Sequence, residues 1–100
     1  MKKIYISGKI TGLELCDAEW LFNEAESKCI KLGYIPVNPI KLNHAHDKTW
    51  LSYMKEDIIA MMECDAIFML SNYKTSKGAK IELELAKELG FSIYFDVDAN

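Results

Sequence analysis

The chain contains no arginine: its twelve strongly basic residues are all lysine, against fifteen acidic ones, for a net charge of −3. That excludes bidentate guanidinium recognition, so any phosphate must be met by lysine, hydroxyl or backbone amide. The acidic balance and the scattered lysines also exclude a dedicated nucleic-acid binder, whose footprint is a clustered basic face. Cysteine is scarce. Cys16, Cys29 and Cys64 are odd in number, lack metal-ligand spacing, and read as reduced thiols of a cytoplasmic protein. No apolar run approaches the roughly 20 residues of a membrane span. The opening Met-Lys-Lys-Ile-Tyr-Ile-Ser-Gly turns at a glycine too early for a signal peptide. No membrane partner is expected.

Other absences narrow the chemistry. Neither G-x-G-x-x-G nor the Lys-Ser/Thr phosphate loop is present, which removes the dinucleotide and P-loop readings. His44 and His46 stand two apart beside Asp47 in a polar loop, and neither falls at a strand end. A Ser-His-Asp triad is therefore unsupported, and the histidines read as surface loop residues in preference to a metal site. No metal and no cofactor is expected. There is no repeat, low-complexity tract or linker, so residues 1–100 form one domain. With half its residues hydrophobic and 27% charged, the chain is an ordinary globular one and not a disordered one.

What is present alternates between strand and helix signals. Ile4-Tyr5-Ile6-Ser7 is a short β-rich run that stops at Gly8, with a loop through Gly12 behind it. A helix opening at Glu14 or Asp17 puts Ala18, Leu21, Phe22, Ala25, Cys29 and Leu32 on one buried face and ends at Gly33. Residues 34–38 form a second strand whose Pro36 confines it to a sheet edge. A second helix over 50–63 offers Trp50, Met54, Ile58, Met61 and Met62 as core residues. The near-continuous apolar run 65–70 is a central parallel strand, buried on both faces. A third helix over 78–89 and a strand over 91–95 complete the chain.

This succession predicts a three-layer α/β/α domain of the Rossmann/flavodoxin-like kind, with a four-stranded parallel sheet in order 2-1-3-4. In that order the chain reverses between strands 1 and 3, and ligands in such sheets bind just beyond the strand ends at the reversal. The loops there are 8–12 and 71–78. The second leads into Ser76-Lys77-Gly78-Ala79-Lys80-Ile81-Glu82, a Ser/Gly turn at a helix start with a carboxylate expected in the first turn. Unpaired N–H groups at a helix start suit an anion, and the glutamate would stand beside it. An ordinary acidic helix start has the same appearance.

Four features resemble the nucleoside 2-deoxyribosyltransferase superfamily, which includes deoxynucleoside 5′-monophosphate N-glycosidases. They are the opening Lys3-Ile4-Tyr5-Ile6-Ser7-Gly8, Asp57 in the second helix, the Asp-led strand Cys64-Asp65-Ala66-Ile67-Phe68-Met69, and Gly78-x-x-x-Glu82-x-x-x-Ala86. The match spans nearly the whole chain and looks most like a small branch found in bacteria and phages. It implies a nucleoside or nucleotide small molecule as substrate. Glu82 would attack C1′ of the sugar, in the two-step manner of a retaining glycosidase, its carboxylate kept ionised by the helix N-terminus. Tyr5 would hold that carboxylate, and Asp57 would contact the base and assist its departure as an acid. Ser76 falls where the monophosphate-hydrolysing members bind phosphate. Ser7, Gly8, Lys9, Gly12 and Gly78 join it as substrate-binding candidates.

The departures shift the balance within that family. Lys9 stands where many relatives have Pro or Ser, either as a phosphate contact or solvated. Glu84 replaces a glycine, crowding the pocket or pointing away. The C-terminal segment by which transferases reach a neighbouring subunit's site, and a fifth strand, are not expected after Phe95. Hydrolysis is therefore expected ahead of transfer, and a nucleotide-binding or sensor module without catalysis is the alternative. Trp50, Tyr53, Met54, Met61 and Met62 offer more apolar surface than one side of a four-stranded sheet covers. A homodimer or homotetramer is expected, with a partner against the second helix or the 39–48 loop walling the cleft.

Overall fold

The computed structural model describes residues 1–42 and 49–97. His44, His46 and Asp47 lie outside the described residues. The elements run β1 (Lys3–Ser7), α1 (Leu15–Lys31), β2 (Ile35–Val37), α2 (Trp50–Met62), β3 (Ala66–Met69), α3 (Lys77–Leu89) and β4 (Ser92–Phe95). Short 3₁₀ turns at Pro39–Lys41 and Tyr73–Thr75 occupy stretches that the sequence reads as loop. All pairings are parallel, and the sheet order is β2-β1-β3-β4. Pro36 sits on the edge strand β2, where its missing donor costs no ladder bond.

Strand periodicity divides the core. Ile4 and Ile6 of β1, with Ala66, Phe68 and Leu70 of the β3 run, point to one face and pack on Phe22, Ala25 and Cys29 of α1. Tyr5, Ile67 and Met69 point to the other and meet Met61 of α2 and Ala79, Leu83 and Ala86 of α3. One helix thus covers one face and two cover the other, as reversal at β1 requires.

Each helix has a local reason for its bounds. α1 ends with Gly33 at φ 91°, which an L side chain rarely adopts. Thr49 caps α2 by accepting from the Ser52 N–H at 3.1 Å, and Ser76 caps α3 by accepting from the Ala79 N–H at 3.1 Å. Among the described residues no helix is long and apolar enough to cross a membrane.

Three expectations of burial are corrected. Leu32 follows the last turn of α1 and is 46% exposed, because the chain turns at Gly33 before that side chain reaches the sheet. On α2 the buried residues are Met54, Asp57 and Met61, a three-four spacing that selects a single face. Met62 falls off that face and is 52% exposed, whereas Trp50 keeps the spacing but stands at the very start of the helix and is 42% exposed. The centre of α2's inward face is thus a carboxylate.

Candidate active site

β1 and β3 end side by side, and the loops leaving them are tied together. The Leu70 N–H donates to the Ser7 carbonyl at 2.8 Å, and the Lys9 N–H donates to the Asn72 side-chain oxygen at 2.9 Å. Gly8 is dictated by close approach: a Cβ there would lie 2.5 Å from Leu70 Cδ1 and 2.8 Å from Leu70 Cβ. Across from this junction the first turns of α2 and α3 touch, and a Cβ on Gly78 would meet Met54 Sδ at 2.9 Å. Between these elements lies a cleft of about 760 Å³, within the range of small-ligand sites.

Glu82 stands at its floor. It is 4% exposed, and both carboxylate oxygens are held: Ser7 Oγ donates to Oε1 at 2.6 Å and Tyr5 Oη donates to Oε2 at 3.1 Å. Asp57, 8% exposed, lines the same cleft. Burial pushes the Glu82 carboxyl up to about 7; the Ser7 hydrogen bond opposes this, the Asp57 charge adds to it, and the Tyr5 hydrogen bond opposes it again. Burial also raises the Tyr5 phenol, with the charges of Glu82 and Asp57 adding, so Tyr5 remains a donor at neutral pH.

The expected ionisation of Glu82 by the helix start is therefore corrected. α3 begins at Lys77, so Glu82 lies in its second turn and no acidic residue occupies the first. The helix-dipole effect falls off within the first turn, whereas desolvation acts in full on a buried carboxyl.

The other singled-out residues sort by position. Gly8, Lys9, Ser76 and Gly78 line the cleft with Tyr5, Asp57 and Glu82. Ser76 also caps α3, which uses its oxygen as acceptor and leaves its O–H to donate. Ser7 is 1% exposed and spends its hydroxyl on Glu82. Gly12, at φ 89°, is exposed and outside the cleft lining, where it turns the chain towards α1. Glu84 points away from the cleft and pairs with Lys87 at 3.3 Å on the solvent side of α3. Asp65 lies at the opposite end of the sheet, accepting from the Lys3 N–H at 3.4 Å.

Sequence reasoning assigned Trp50, Tyr53 and Met54 to core or interface, yet all three line the cleft, as do Ile10, Thr11 and Lys77. Lys77 Nζ lies 4.7 Å from the Trp50 ring centroid, a contact between two helix starts with no short-range signature. Among the described residues, no group of three or more histidine, cysteine, aspartate or glutamate side chains is placed to hold a metal ion.

Residues 2–95 match the family model described as DUF4406, a domain of unknown function, and the chain belongs to that family. No curated protein and no solved structure matches it.

Proposed function

We propose that this DUF4406 member cleaves the N-glycosidic bond of a (deoxy)nucleoside or its 5′-monophosphate, with Glu82 as nucleophile and hydrolysis ahead of transfer. The observation carrying this reading is the Glu82 carboxyl itself. It is buried at the floor of a ligand-sized cleft, gripped at both oxygens by hydroxyls, and flanked by a second carboxyl. Burying such a group is costly, and a strongly perturbed carboxyl in a cleft marks a candidate functional site. The resemblance of the four sequence motifs to the nucleoside 2-deoxyribosyltransferase superfamily gives this chemistry its substrate class.

In the first step a Glu82 oxygen bonds to C1′ as the C1′–N bond breaks, and the electron pair leaves with the base. Asp57, entering protonated, gives its proton to that base. In the second step water attacks C1′, Asp57 takes the water's proton, and the Glu82 carboxylate departs. Ser7 and Tyr5 fix the carboxylate's plane throughout. Incubating the protein with (deoxy)nucleosides and their 5′-monophosphates and assaying free base tests the reading. No release from wild type, or equal release from Glu82→Ala, would refute it.

One observation favours a nucleotide-binding module without turnover. A carboxyl at about 7 is about half protonated at neutral pH, and the protonated form is no nucleophile. Micromolar nucleotide binding without base release selects that alternative.

The reading includes a homo-oligomer. Leu51, Ile59 and Met62 form an outward stripe on α2 and are 56%, 62% and 52% exposed. A second copy would cover that stripe, whereas walling the cleft takes a copy against Trp50 and Tyr53, on the opposite side of the helix.

A further inference from the structure

The cleft is electrically divided. Its two acids, Asp57 and Glu82, are 8% and 4% exposed and form the floor. Among the described residues its two cations are Lys9 and Lys77, the first half-buried and the second exposed at the mouth. Lys77 is not left to wander there. Its ammonium rests 4.7 Å from the centroid of the Trp50 ring, and Trp50 is itself 42% exposed and part of the lining. A flexible lysine has many rotamers, and contact with an indole face narrows them without neutralising the charge. Trp50 also reaches the first turn of α3, with its Cζ2 4.0 Å from where a Cβ on Gly78 would be.

We propose that Trp50 is a positioning residue that parks the Lys77 ammonium at the cleft mouth, making the pair the determinant that selects a ligand with an anionic end. The proposal deepens the glycosidase reading, on which it rests for the kind of ligand. A nucleoside 5′-monophosphate lies with its sugar carbon on Glu82 and its phosphate on Lys77. A neutral nucleoside gains nothing from the pair. Without a counter-charge at the mouth, the ionised Glu82 carboxylate at the floor repels an approaching dianion through the low-dielectric walls. With no arginine in the chain, an aromatic-braced lysine supplies the geometric definition that a guanidinium fork would otherwise give.

The test measures binding by calorimetry for the four deoxynucleoside 5′-monophosphates, their parent nucleosides and inorganic phosphate. The emission of Trp50 is followed in a Trp20→Phe background, which leaves Trp50 as the one tryptophan of the chain. Trp20 is 62% exposed on α1 and lies outside the cleft lining. The best monophosphate is expected to bind at least tenfold more tightly than its nucleoside and to shift Trp50 emission. Lys77→Gln should reduce that ratio to within about twofold of unity. Lys77→Arg should restore it. Trp50→Leu should lose most of the ratio, and Trp50→Phe should keep most of it.

A ratio unchanged in Lys77→Gln, or one lost in Trp50→Phe as fully as in Trp50→Leu, overturns the proposal. Inorganic phosphate binding as tightly as the monophosphate also overturns it, because the site would then be a bare anion site. Base release measured in parallel separates the two claims. Release with a Lys77-independent ratio sinks this proposal alone, whereas a Lys77-dependent ratio without release sinks the glycosidase reading alone. Absence of binding by every ligand sinks both. Lys77 and Trp50 are both exposed, so melting curves should show all these variants folded.

Discussion

Ser7 and Glu82, 75 positions apart in the chain, are joined by a 2.6 Å hydrogen bond in which the serine hydroxyl donates to Oε1. Ser7 ends β1 and is 1% exposed, and Glu82 faces it from the second turn of α3. The bond is short because its acceptor is a carboxyl group and its donor is buried. It fixes the plane of the Glu82 carboxyl and opposes the effect of burial on it.

Replacing Glu82 should make the protein more stable and inactive. The folded protein keeps the Glu82 proton up to about 7, whereas an ordinary glutamate loses it near 4.5. Between those values unfolding releases a proton, so stability falls as pH rises through the window and levels off above it. Glu82→Gln removes that loss while keeping the shape. It should stabilise the protein by on the order of 3 kcal/mol at pH 8 and by little at pH 4. Denaturant melts at both pH values check this, and base release should fall by roughly a thousandfold or more.

The pH dependence of turnover should carry the same signature. If Glu82 attacks as the carboxylate, the rising limb of kcat/KM against pH is centred near 7. Ser7→Ala should displace that limb upward and lower kcat/KM at pH 7 by about 10- to 100-fold, since hydrogen bonds to charged groups are worth roughly 1.5–3 kcal/mol. Tyr5→Phe should act in the same direction and less, because its bond is longer at 3.1 Å and opposes the shift less. A limb that stays in place in Ser7→Ala would refute the assignment.

Gly8→Ala should be destabilising at a position with ordinary backbone angles. The new methyl would sit 2.8 Å from Leu70 Cβ, an atom that no rotamer change can move. Overpacking of this kind costs about 1–3 kcal/mol. In a domain of this size the melting temperature should fall by roughly 4–8 °C per kcal/mol, which calorimetry would show. Gly78→Ala meets the mobile end of Met54 instead and should cost less.

Ser76→Ala should give two separable effects. Loss of the cap to the Ala79 N–H costs about 0.5–2 kcal/mol of stability for every ligand state. Loss of the hydroxyl donor at the cleft should raise KM for monophosphates and leave nucleosides unaffected. Equal effects on both substrate classes would reduce Ser76 to a helix cap.

The α2 stripe should associate. Light scattering at micromolar concentration is expected to give a dimer or tetramer mass, and Ile59→Glu should dissociate it because Ile59 is 62% exposed on the outer face. A clean monomer mass for the wild type would refute the oligomer.

The sequence by itself determined the architecture. Alternating β and α periodicities, Pro36 on an edge, the unbroken apolar run of β3 and Gly33 behind α1 are local patterns, and local propensity with chain-crossing rules leaves one sheet order. The same rules brought the loops after β1 and β3 together before any side chain was placed. Only tertiary structure decided the protonation of Glu82, because desolvation depends on what surrounds a carboxyl and not on its place along a helix. It decided, too, that Ser7 serves the carboxylate and that α2 turns Asp57 inward and Trp50 towards the mouth. The Lys77 contact with Trp50 likewise joins side chains 27 positions apart in the chain, and no sequence period records it.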